Sequence, residues 1–475
     1  MIRTPTPTSG FGIQPMKKHL ITQALLLSTM LLPASAAAQL IAAGYYHSLA
    51  VCSTGAVQDW GDDSYGQLGN ASNTNSAVPV QVGSLTNVAA LAAAGGHSLA
   101  LLNDGSVWAW GWNNHGQLGN GSNGSSNVPV PVSTLTGITA IAGGGAHSLA
   151  LKNDGTVWAW GYNNWGQLGD GSNAESSSPL QVNSITGIVA IAAGEVNSLA
   201  LKNDGTLWAW GANAQGQLGN GTLVSSNVPV QVSSLTGITA ISVGGGHSLA
   251  VKNDGTVWAW GYNVYGALGN GTNTDSNVPV QVNSLTGISG IAAGGYHSVA
   301  VKVDGTVWSW GFNSTGQLGN GTNGNSYVPV AVSSITGITT VAAGLAHSVA
   351  LKEDGTVWSW GGNSYGELGT GNNTGSNVPA QATGLCLVGV AVPEHSVDAS
   401  VTLSPNPTSG AFIIDDQQAA GSKNIAIRNA LGQEVLRYTF SGTRSVVDFS
   451  SQPDGIYLLT IRTTEHTFTK RLIKE

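Results

Sequence analysis

The 475-residue sequence predicts an all-β chain: a seven-bladed β-propeller followed by a small C-terminal β-sandwich. Three observations predict it. Tryptophan recurs every 50 residues, at Trp60, Trp110, Trp160, Trp210, Trp260, Trp310 and Trp360, each time followed by Gly. Within each unit the apolar period is two and Gly is dense, a pattern of short strands and turns rather than helices. The period ends before residue 391, and residues 401–475 carry their own alternating segments.

Each unit divides into four β segments. In the copy at 138–182, residues 138–143 are small and apolar, suited to a crowded centre. Residues 147–152 alternate apolar and polar. Asn153-Asp154-Gly155 is a hairpin signal whose residues accept positive φ. Residues 156–160 are β-branched and aromatic. A Gly/Asn/Ser-rich loop then leads to residues 178–182. That last segment holds Pro179, and Pro recurs there in every copy from Pro79 to Pro379. Proline cannot donate a ladder bond, so the fourth segment is expected at an outer edge. Four antiparallel strands repeated radially make a propeller blade. A linear β-solenoid is the alternative, but its repeats are usually shorter.

The domain plan follows. Residues 1–38 are an N-terminal extension with a secretory signal, 39–390 the propeller, 391–400 a linker and 401–475 the terminal domain. The signal consists of basic Lys17 and Lys18, an apolar run at 20–32 and small residues at 34–38. The apolar run is short for a membrane span, so no stable transmembrane segment is expected. Export permits a disulfide. Cys52 and Cys386 lie in the first and last blades, which a closed ring makes neighbours. The two thiols either bond and fasten the ring or remain buried and inert.

Repeating columns read as scaffold. The histidines at 47, 97, 147, 247, 297 and 347, replaced by Asn197 in one blade, are expected to bond backbone of their own or the next blade rather than a metal. The aspartates at 104, 154, 204, 254, 304 and 354 shape hairpin turns. Trp158 and Trp160 share one strand face and are expected to pack between blades. No metal, cofactor or catalytic residue is assigned. Paired carboxylates and Gly-rich phosphate loops are missing from the non-repeating positions, which disfavours an enzyme. Residues 41–390 contain 15 acids, five Lys and no Arg. The basic footprint of a nucleic-acid surface is missing, so nucleic acid is not an expected partner.

What varies points to function. In a four-strand meander, the connection between strands one and two shares a face with that between strands three and four. The other two connections are nearly uniform; this pair varies and is rich in aromatics. The candidate ligand-binding residues are Tyr45, Tyr46, Trp112, His115, Tyr162, Trp165, Tyr262 and Tyr265. Aromatics are enriched at protein hot spots and stack on sugars, so a protein or glycan ligand is expected. The alternative is a secreted enzyme degrading polysaccharide or protein at the same face.

Two resemblances add to this reading. His147-Ser148-Leu149-Ala150-Leu151, Asp154-Gly155, Trp158-Ala159-Trp160-Gly161 and Gly166-Gln167-Leu168-Gly169, with their counterparts, resemble the regulator of chromosome condensation repeat family. That resemblance implies the seven-bladed propeller. The family's founder promotes nucleotide exchange on a small GTPase and binds chromatin, roles unsuited to a secreted, Arg-free ring. The family also includes a secreted inhibitor of β-lactamase that binds through one propeller face. Ser404-Pro405-Asn406-Pro407, Asn429-Ala430-Leu431-Gly432-Gln433, Gly455-Ile456-Tyr457-Leu458-Leu459 and Lys470-Arg471-Leu472-Ile473 resemble the sorting domain of the type IX secretion system. This implies the type IX machinery as a partner and a bacterium with an outer membrane. The expected location is secreted or on the outer cell surface.

Overall fold

A computed structural model of the chain describes residues 40–386, 388, 401–404, 408–416, 422–429, 434–452, 455–462 and 467–474. The signal segment, the linker at 391–400 and the turn at 431–433 lie outside the described residues. Residues 41–381 form seven four-stranded antiparallel sheets, each a meander with its strands in chain order. In the third blade the strands are Ile138–Gly143, His147–Lys152, Val157–Gly161 and Ser176–Gln181. The proline-bearing fourth strand is the outer edge, as a residue without an N–H requires.

The alternation of the strands builds the interfaces between blades. Trp158 and Trp160 pair with Ala150 and Ser148, so both indoles leave the same sheet face. Trp160 is fully buried, and it joins the preceding blade's Leu99, Leu101, Val107 and Leu118 in one apolar cluster. Equivalent clusters recur at the other boundaries, closing with Trp60 against Val349, Leu351 and Val357. Burying an aromatic side chain is worth roughly 1.5–3 kcal/mol, so these seven indoles carry a large share of ring cohesion.

A polar latch crosses each boundary beside the indole. The Gln117 carbonyl accepts from Trp160 Nε1 and Ser148 Oγ of the next blade, both at 2.8 Å. Ser148 Oγ in turn lies 2.8 Å from His97 Nε2. The serine proton is committed to the carbonyl, so the imidazole must donate at Nε2. The histidines therefore bond a serine of the next blade and not backbone, because serine already occupies the carbonyl. Burial holds these rings neutral, pushing His97 and His147 down to about 3. Six boundaries carry this bond. At the seventh, neither side-chain polar atom of Asn197 has a partner.

The hairpin turns use one positive φ rather than three. Gly155 N donates to Lys152 O at 3.0 Å, and only Gly155 takes a left-handed φ, at 77°. Asp154 Oδ1 accepts from Thr156 N and Oγ1, which pulls its carboxyl below the usual range. Asn153 and Asp154 thus supply a type I turn, and glycine its bulge.

The ring closes with its two ends in one blade. The first blade's inner strand, Ile41–Ala43, is shorter than its counterparts. Val388, which stands 50 residues after Ile338, pairs with Cys52 and occupies the missing position. Val388 N also donates to Gly355 O, and Leu385 packs against the last interface. Cys52 and Cys386 are disulfide-bonded, with their Cα atoms 5.5 Å apart.

The terminal domain is a two-sheet sandwich. Val401–Ser404, Ala411–Asp416 and Arg444–Asp448 form one sheet. Glu434–Ser441, Ser422–Asn429, Gly455–Arg462 and Thr467–Lys474 form the other, in that spatial order. Phe412, Ile414, Ile425, Ile427, Phe449 and Leu459 are buried in its core.

Candidate binding face

Hydrogen bonds tie the two variable connections together. The residue after each third strand donates its N–H to the carbonyl that ends the first connection of the same blade. Trp112 N reaches Gly96 O at 2.8 Å, and Tyr162 N reaches Ala146 O at 2.9 Å. The longer connection is pinned from within. Asn163 Nδ2 donates to the carbonyls of Ser172 and Ala174, while its Oδ1 accepts from Leu168 N. Side chains at positions such as 112, 115, 162 and 165 therefore project from a fixed backbone.

The rings meet across blade boundaries in three groups. Tyr65, Trp112, His115 and Tyr162 form a chain with successive centroid distances of 5.7, 5.3 and 4.8 Å. The last two are edge-to-face pairs, favourable because ring quadrupoles align. His115 Nδ1 lies 2.8 Å from the Glu175 carboxylate. A second group joins Tyr262, Tyr265, Tyr296 and Phe312, with Tyr265 and Phe312 4.7 Å apart. A third joins Tyr45, Tyr46 and Tyr365. Trp165 makes none of these ring contacts. Ala212 stands where the other groups place a ring, and Trp165 is left 49% exposed. The eight candidate residues thus form parts of three groups plus one isolated indole.

The centre of the ring brings together residues that the sequence keeps far apart. The inner strands enclose a cavity of about 430 Å³, lined by small residues such as Ala42, Ala92, Ala142 and Ala192. Tyr45 reaches from the first blade across the mouth. A methyl group on Gly145 of the third blade would lie 2.9 Å from the Tyr45 hydroxyl and 3.2 Å from Glu195 Cγ. That hydroxyl is buried without a partner in hydrogen-bonding geometry. Burial and then the Glu195 charge push the Tyr45 phenol up. Tyr296 is shifted the same way by burial and Glu195. Glu195 itself is raised by partial burial. Tyr45 and Glu195 belong to blades one and four, so only the closed ring brings them together at the mouth, and the Glu195 charge also acts on Tyr296 of blade six. Their one signal in the sequence is that each departs from its column in the first connection.

The first blade departs further from the repeat. Asp63 occupies the column of Asn113 and Asn163. Its Oδ1 accepts from Leu68 N, but Oδ2 has no donor to offer the carbonyls the asparagines satisfy. Burial pushes Asp63 up to about 6. Asp59, fully buried in a column of Ala and Ser, is raised well above the carboxylate range by burial and by Asp63.

These features define a class: a closed seven-bladed ring with one uniform face, one aromatic face and a separate terminal sandwich. Comparison with known proteins gives the family. A family model of the RCC1-like domain matches residues 22–290 and 136–404, and the chain belongs to that family. A secretion system C-terminal sorting domain matches residues 402–475. Among solved structures, human WBSCR16 is similar at 26% identity and a TM-score of 0.63, over 69% of this chain and 94% of that one. Prp20p from Saccharomyces cerevisiae, described with its binding to Gsp1p and histones, is 23% identical with a TM-score of 0.61. That match covers 76% of this chain and 88% of the yeast one. The yeast RCC1 (Prp20) bound to Kap60 gives 22% and 0.63, over 85% and 93%. A search of curated proteins finds no match. The type IX sorting domain indicates export to the surface or beyond in a bacterium with an outer membrane. No helix among the described residues is long and apolar enough to cross a membrane.

Proposed function

We propose that this chain is a secreted or cell-surface binding propeller that recognises a protein or glycan through its variable aromatic face. The observation that carries the reading is the asymmetry between the faces. One face repeats its turn chemistry blade after blade. The other presents Tyr65, Trp165, Tyr296 and Tyr365 at 36–49% exposure on a hydrogen-bonded frame. Exposed aromatics on rigid loops supply contact area at small entropic cost. The signal segment at 16–38 is proposed to start export, and the terminal domain to complete it through the type IX machinery.

Capture from the native environment and a glycan array, both with the full chain, would identify a ligand. Replacing Trp112, Tyr162 and Trp165 together by Ala is expected to weaken its binding at least tenfold, since hot-spot residues cost about 2 kcal/mol or more each. Unchanged affinity would defeat the assignment to this face. Turnover of a captured polymer would instead favour an enzyme at the same face.

A further inference from the structure

The charges of the propeller are sorted by face. Its five lysines, Lys152, Lys202, Lys252, Lys302 and Lys352, all end second strands, beside the uniform hairpin turns. Each is engaged there. Lys152, Lys202, Lys252 and Lys352 lie 3.0–3.8 Å from the turn aspartates. Lys302 sits over the Trp308 ring, 4.8 Å from its centroid. The opposite, aromatic face holds Asp62, Asp63, Asp170, Glu175, Glu195, Asp275 and Glu367, and no Lys or Arg. Of these, Glu195 has the most distinctive setting. It stands at the cavity mouth with Tyr45 beside it. A carboxylate beside an electron-rich ring is a seat for a cation: the ring attracts it through its quadrupole and the acid through its charge.

We propose that the aromatic face docks a protein whose contacting segment is cationic, and that a lysine or arginine side chain of that segment seats at the mouth between Tyr45 and Glu195. This rests on the binding reading above and specifies the partner's chemistry. The acids of this face that are not buried, Asp170, Glu175, Glu195 and Asp275, draw a positive segment toward it, and the aromatic groups supply the short-range contact. A neutral glycan would use the rings but leave the acids without counter-charge.

The test pans a displayed library of random peptides over the immobilised full-length chain, then measures the selected peptides in solution. Enrichment of Lys and Arg is expected, with affinity falling as salt rises. Glu195→Gln is expected to weaken the selected peptides roughly tenfold or more with an unchanged melting temperature. Glu195 is exposed, so replacing it by the isosteric amide leaves the packing of the fold in place. Peptides without basic residues, lost on Trp112→Ala/Tyr162→Ala/Trp165→Ala but not on Glu195→Gln, would overturn the cationic partner and leave the aromatic face standing. Peptides indifferent to both variants would overturn both. No selected peptide, or binding to neutral glycans alone, counts against the cationic partner.

Discussion

Asn197 and Val243 form a compensating pair. All six other first strands place Ala or Gly where the fifth blade has Val243. A methyl group on Gly194 would lie 2.5 Å from Val243 Cγ1 and 2.8 Å from Asn197 Oδ1, so valine fills the space beside the smaller amide. Ser248 keeps its bond to the Gln217 carbonyl but receives nothing from Asn197. Asn197→His alone is therefore expected to crowd Val243 and gain little. Asn197→His with Val243→Ala should build the seventh latch. A double-mutant cycle followed by thermal unfolding should show favourable coupling of about 1 kcal/mol, the usual net worth of one such bond. Additive effects would mean that the latch does not form. The sequence showed Asn197 as an exception in its column, but nothing there tied it to residue 243. That link needs the lateral contact between blades four and five.

Among elements, the seam is the informative one. The four segments of a blade were readable from period two, the Asn-Asp-Gly turn and the proline, with strand ends displaced by one or two residues. The split inner strand was not read, although Val388 keeps the 50-residue spacing. A lone Val-Gly-Val stretch has no strand pattern until Cys52 is beside it. The seam also concentrates the energetics. The disulfide spans 334 residues of sequence, so removing it frees a very large loop in the unfolded chain. Cys52→Ser with Cys386→Ser is expected to lower stability by roughly 2–5 kcal/mol. Hydrogen exchange should rise first in Ile41–Ala43 and at Val388. Equal protection of the seam in both proteins would show that packing alone holds it.

At the scale of the whole ring, its buried histidines set an acid limit. Burial lowers five of them to about 3 and His247 to about 4. A neutral buried imidazole contributes stability that is complete above the unfolded value near 6.5 and is lost as pH falls toward the folded one. Each forfeits about 1.4 kcal/mol per pH unit in that window. Six together exhaust a typical margin of about 5–15 kcal/mol within about two units. The raised carboxyls Asp59, Asp63, Glu195 and Glu367 act oppositely, losing their share as pH rises from the ordinary carboxylate range. They are fewer and Glu195 is exposed, so the histidines win. The melting temperature is expected to fall steeply between pH 6 and 4; a flat profile would mean that water reaches the latches. The seven-fold plan was legible because each blade repeats its scaffold. The cavity mouth was not, because residues 45 and 195 meet only across the axis. The seam has a mechanical consequence as well. The terminal sorting domain is joined to the ring just beyond Cys386. Once a pull on that tether has freed Val388 it reaches Cys386, and the covalent bond passes the load to Cys52 in the first blade. The ring is then loaded at both ends at once instead of being unzipped from one, and its hydrogen bonds resist traction in parallel.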